Sequence, residues 1–166
     1  MKRSDPVRNP STVPGLLAGA NRLLRQAAIT LEWNGTISYT NRDDWYTLAL
    51  PPDNVATNGS AIWQLMDCAN NTGGIELYFV NDLVEAGGGN VPVASGFNVR
   101  GRGLALGNRA TGHTLAHETL HECGLTDIYN DRGGLSVSGT ASADRMSGAD
   151  WGGGYYPPGL TQADFN

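Results

Sequence analysis

Lysine is almost missing from this 166-residue chain: Lys2 is the only one among 11 basic residues, against 16 acidic ones and a formal net charge of -5. The arginines are scattered, with loose groups at the N-terminus and at Arg100, Arg102 and Arg109. No basic stripe forms of the kind that grips a phosphate backbone, which excludes a nucleic-acid partner. No apolar run reaches the ~18 residues that a helical membrane span needs. The first stretch, MKRSDPVRNPSTVPG, lacks the apolar h-region of a signal peptide, so an exported form would have to begin after its signal. Cysteine is limited to Cys68 and Cys123. That even number permits one disulfide without requiring it, and buried free thiols are the alternative.

Glycine, by contrast, is plentiful at 23 residues, roughly twice the usual share, so much of the chain reads as loop and turn. The length suits one domain with a sizeable core. After a loose arm over 1–14, Leu16, Leu17, Ala20, Leu23, Leu24 and Ala27 fall on one face of a helix over 15–28. ITLEW (29–33) and TISYT (36–40) are expected as strands, and 41–59 as a long loop. Residues 60–70 read as a helix with Ser60 as N-cap. GIELYFVNDLV (74–84) is the most strand-like segment, 85–96 reads as loop, and GLALGN (103–108) as a short strand. A further helix is expected from about Thr111 to Gly124. The pattern is that of an α+β domain whose last third is held by something other than a large core, and a bound metal would serve.

All three histidines lie within one segment, HTLAHETLHECGLTD, at His113, His117 and His121. Residues four apart share a helix face with ~6 Å of rise between them. Two imidazoles so placed can converge on one zinc ion, which accepts nitrogen at ~2.0–2.1 Å. Glu118, beside the first of the pair, can reach a water on the metal and act as general base without ligating it. Gly124 can end the helix in the left-handed conformation and turn the chain back, and Asp127 then offers a carboxylate. Two His and one Asp leave a fourth position for water, which is the arrangement of a catalytic rather than a structural zinc. His113 is too far along the helix to share an ion with His121, and reads as a first-turn residue outside the ligand set. Asp131 competes with Asp127 for the third position. Asn130, Asp131 and nearby carbonyls also offer oxygen ligands for calcium, the alternative being a solvated turn.

The run His117-Glu118-x-x-His121-x-x-Gly124-x-x-Asp127 resembles the extended zinc motif of the metzincin metalloendopeptidases, in the snapalysin-like minority with Asp at the last position. The resemblance implies a Met-turn under the zinc, and DRMSG (144–148) fits it with Met146. It implies a metzincin-like catalytic domain: a twisted, mostly parallel sheet with an antiparallel edge strand and two or three helices. An upper subdomain (1–124) would carry the zinc helix, and a small irregular lower one (125–166) the Met-turn. Substrate would pair with the strand before the zinc helix, taken as the sheet edge, at Gly103, Leu104, Ala105 and Leu106. Some metzincins place a Tyr two residues after the Met; here Gly148 stands there, and Tyr155 and Tyr156 are the candidates to line the cleft. Cys123 is expected to face the core.

The expectation is thus a secreted, monomeric zinc endopeptidase acting on protein or peptide substrates, with Glu118 as base, His117, His121 and Asp127 as ligands, and Gly124 and Met146 in structural roles. The rival is a latent or non-catalytic protein that keeps the zinc for folding, where a base at Glu118 would have no use. A binding module with a chance motif would need Gly124, Asp127 and Met146 to be coincidences.

Overall fold

The computed structural model describes residues 8–39, 42–51, 56–68, 73–87 and 92–125. Helix α1 covers Val13–Leu24 and continues as a tight 3-10 turn over Arg25–Ala27. Its periodic apolar face buries Leu16, Ala20, Leu23 and Leu24, whereas Ala27, past the helix end, is exposed. The segment 29–39 is not a strand. The Asn21 side chain accepts from the Leu31 N–H at 2.8 Å and donates to the Leu31 carbonyl at 2.9 Å. The two backbone groups that strand pairing would need there are already used. Strand β1 (Thr47–Leu50) lies inside the stretch expected to be loop. Helix α2 (Ala61–Met66) begins as expected at Ser60, whose hydroxyl accepts from the Trp63 N–H.

The strand expected over 74–84 is split into β2 (Leu77–Phe79) and β3 (Asp82–Glu85). A second interrupted stretch follows as β4 (Pro92–Ala94) and β5 (Gly96–Val99), both in sequence read as loop or left unassigned. Strand β6 (Gly103–Leu106) and helix α3 (Gly112–Glu122) close the described chain. The strands form two three-stranded sheets, β1-β3-β4 and β2-β6-β5. In each, one pair is parallel (β1 with β3, β2 with β6) and one antiparallel (β3 with β4, β5 with β6). The α+β class and the antiparallel edge strand hold, but the sheets are evenly mixed rather than mostly parallel.

Strand β6 is the wedge of this arrangement. It sits between β2 and β5, and where it ends the two outer stretches close on each other as β3 and β4. Gly107 marks the closing point, its N–H donating to Ser95 O at 2.9 Å, while the next amide, of Asn108, donates to Asn81 O at 2.9 Å. Alternate residues of β6 face opposite sides, as the two-residue period of a strand requires. Leu104 and Leu106 join Leu16, Leu23, Leu24, Leu115 and Ala116 in one apolar cluster. Ala105 joins Trp45, Leu48, Ile62, Leu65, Phe97 and Val99 in the other. Helices α1 and α3 therefore cover one side of β6 and α2 the other. Among the described residues no helix is long and apolar enough to cross a membrane.

Candidate metal centre

Helix α3 is started and stopped by local chemistry. At its N-terminus the Thr111 N–H donates to Thr114 Oγ1 at 3.1 Å, so a first-turn side chain reaches back to the cap. Just before it, Arg8 Nη2 donates to the carbonyls of Asn108 and Ala110, each at 2.9 Å, and ties the β6–α3 loop to the N-terminal segment. At the C-terminus Gly124 takes φ +94. Its N–H donates to His121 O at 2.8 Å, and the Leu125 N–H donates to Leu120 O at 3.1 Å. These two bonds make a Schellman turn, the chain reversal expected of Gly124.

Between those ends the helix presents three rows. Leu115, Ala116 and Thr119 are buried against α1 and β6, with Thr119 Oγ1 donating to Leu115 O at 2.7 Å. Here α1 and α3 cross almost backbone to backbone. A Cβ on Gly112 would lie 2.7 Å from Gly19 Cα and from Ala20 N. The neighbouring row is Thr114, Glu118 and Glu122, facing β5. A Cβ on Gly96 would lie 2.6 Å from Glu118 Oε1 and 2.7 Å from Thr114 Cγ2, so the missing side chain is what lets the Glu118 carboxylate lie over the strand. Glu118 is only 6% exposed.

His117 and His121 lie on the helix face turned away from the apolar row, next to the carboxylate row, and both are half-buried. Their Nε2 atoms are 3.1 Å apart and the rings meet edge to face, with centroids 4.6 Å apart. Two nitrogens bound to one tetrahedral zinc at ~2.0–2.1 Å lie roughly 3.3 Å apart, so the observed separation fits that bite. His121 Nδ1 is 2.8 Å from Leu125 O. A carbonyl can only accept, so His121 carries a proton on Nδ1, and in the neutral ring Nε2 is the acceptor facing His117. His113 sits half-buried in the first turn of the helix.

Other expectations fare differently. Among the described residues no group of three or more His, Cys, Asp and Glu side chains forms a metal site. Asp127, the expected third ligand, lies outside the described residues, as do Asn130, Asp131, Met146, Tyr155 and Tyr156. Strand β6 is not the sheet edge. It is paired on both sides, and Gly103, Leu104, Ala105 and Leu106 are all buried, so no substrate strand can add there. Among the described residues, the outer strand of that sheet beside α3 is β5. Cys123 does not face the core: it caps the helix and is exposed, and Cys68 is likewise an exposed free thiol. Sequence reasoning passed over Gly96 and Glu122. The readable signal was the polar row Thr114, Glu118, Glu122 at helical spacing. No protein-family profile, curated protein or solved structure matches the chain.

Proposed function

We propose that this chain is a zinc-dependent endopeptidase of metzincin type. The observation that carries the reading is the facing pair of Nε2 atoms on His117 and His121, 3.1 Å apart, on the helix that also carries the buried Glu118. With a carboxylate from Asp127 as third ligand, the pair would hold one zinc ion, which when bound supplies Lewis acidity to water and to the peptide carbonyl. Glu118 takes the proton of the attacking water and returns it to the departing amine nitrogen. His121 keeps its Nε2 lone pair available because Leu125 O holds its proton on Nδ1.

The substrate would add to β5. Bonds in an antiparallel pair alternate along the strand. Gly107 donates to Ser95 O, so Phe97 turns its backbone groups toward β6, while Gly96 and Asn98 turn theirs to the outer edge. A peptide paired with that edge lies alongside Gly96, over which the Glu118 carboxylate rests.

The test is digestion of a diverse peptide mixture by wild type and by Glu118→Ala, read by mass spectrometry. Cleavage by the first and not the second is expected, with cut sites giving the side-chain preference. If neither cuts although both carry zinc, the site is latent or structural and the reading fails.

A further inference from the structure

Glu122 follows the second histidine and belongs to neither the ligand set nor the base. Its two oxygens are nonetheless fully placed. Oε1 accepts from the Gly101 N–H at 2.7 Å and Oε2 from Asn98 Nδ2 at 2.8 Å. Both donors belong to the hairpin joining β5 to β6. Its turn is closed by the Arg102 N–H bonding Val99 O at 2.8 Å, with Gly101 at φ +75, the left-handed value that the third residue of a type II turn requires. The same turn touches the end of α3 a second time. The Arg100 guanidinium lies over Gly124, and a Cβ there would be 3.1 Å from Arg100 Nη2. Among the described residues the reversal at Cys123 and Gly124 is exposed, and this hairpin braces it. That reversal in turn carries the Leu125 carbonyl that holds the His121 proton.

We propose that Glu122 is a positioning residue: by clamping the last turn of α3 to the β5–β6 hairpin it sets the place of Leu125 O, and through it the tautomer and aim of the His121 ring. The consequence for the ring stands on these contacts alone; the consequence for metal binding rests on the function proposed above.

The experiment compares wild type, Glu122→Ala and Glu122→Gln. Side-chain 15N NMR of the metal-free proteins reads the His121 tautomer, competition with a chromophoric chelator reads zinc affinity, and circular dichroism reads helix content. Wild type is expected in the Nδ1–H form. Glu122→Ala is expected to show mixed tautomers and zinc affinity lower by about 10–100-fold, at unchanged helix content. Glu122→Gln is expected to restore both, because its amide oxygen can accept from Gly101 while its amide nitrogen donates to a flipped Asn98 Oδ1. A Glu122→Ala protein that keeps the pure Nδ1–H tautomer and wild-type affinity overturns the proposal. If that variant fails to fold, Asn98→Ala, which removes one of the two bonds, is expected to give the same changes at smaller size; no change in either readout overturns it equally. A wild type that binds no zinc but whose tautomer still follows Glu122 supports the clamp and sinks the metal reading instead.

Discussion

The two flanks of α3 are built on opposite terms. Toward α1 the helix is pressed close with small and apolar residues, Gly112 against Gly19 and Leu115 and Ala116 in the core. Toward β5 it offers Thr114, Glu118 and Glu122, and the strand answers with a glycine and an asparagine. The first flank gains its stability from burial and close packing. The second places carboxylates where their position, not their burial, is the product. The two histidines lie beside the polar flank, on the helix face turned away from the apolar one.

The largest effect expected of any change lies on the polar flank and in activity alone. Glu118→Gln is nearly isosteric and should lower peptide cleavage by about 10²–10⁴-fold, as loss of a general base does. Its unfolding midpoint and zinc content should stay near wild type. A matching loss of stability would mean that this flank is structural after all.

The apolar flank should respond in the opposite currency. Gly112→Val puts side-chain atoms where Gly19 Cα and Ala20 N already lie 2.7 Å from a Cβ. Neither backbone can retreat without parting the helices, so a loss of about 3 kcal/mol is expected in denaturant unfolding. A neutral result would show that α1 and α3 do not cross as described.

Gly96→Ala sharpens the contrast, since it adds one methyl on the polar side. It must shift Glu118 Oε1 and Thr114 Cγ2, at 2.6 and 2.7 Å from the new Cβ. Both are side-chain atoms that can give. We expect kcat to fall by about tenfold, equal to roughly 1.4 kcal/mol of barrier, with zinc affinity unchanged. Steady-state kinetics beside a zinc titration separates this from general damage.

The smallest effect is far from the helix. Burial pushes the Tyr78 hydroxyl up to about 12, with help from the negative charge of Glu76, and it donates to Met66 O at 3.0 Å. The folded state therefore keeps that proton where the unfolded chain, with a pKa of ~10, has lost it. Its contribution is intact below about pH 10 and fades as pH climbs toward 12. Tyr78→Phe should flatten that alkaline limb of an unfolding profile and leave neutral pH behaviour of the His117–His121 site alone.

What could be read from sequence was local. The ends of α3, the cap at Ser60, the apolar face of α1 and the strand at β6 are each written in a few consecutive residues, and so is the spacing of His117, Glu118 and His121. What failed was non-local. Strand β1 was hidden by the Asn, Asp and Pro around it. The alternation of Phe97 and Val99 in β5 was masked by its glycine-rich flanks. ITLEW had strand composition, but the Asn21 amide took the bonds of Leu31. That β6 is central rather than an edge depends on what pairs with it, which no window of its own residues contains. The role of Glu122 was out of reach for the same reason: its partners, Asn98 and Gly101, lie 24 and 21 residues earlier in the chain, on a separate hairpin.

The central claim is that the His117–His121 pair holds a metal, and metal content tests it most directly. Wild type, His117→Ala and His121→Ala would be loaded with zinc, dialysed and measured by elemental analysis per chain, with folding checked in parallel. One zinc per wild-type chain, lost in either folded variant, is the expected result. A wild type without zinc, or variants that keep it, would contradict the account.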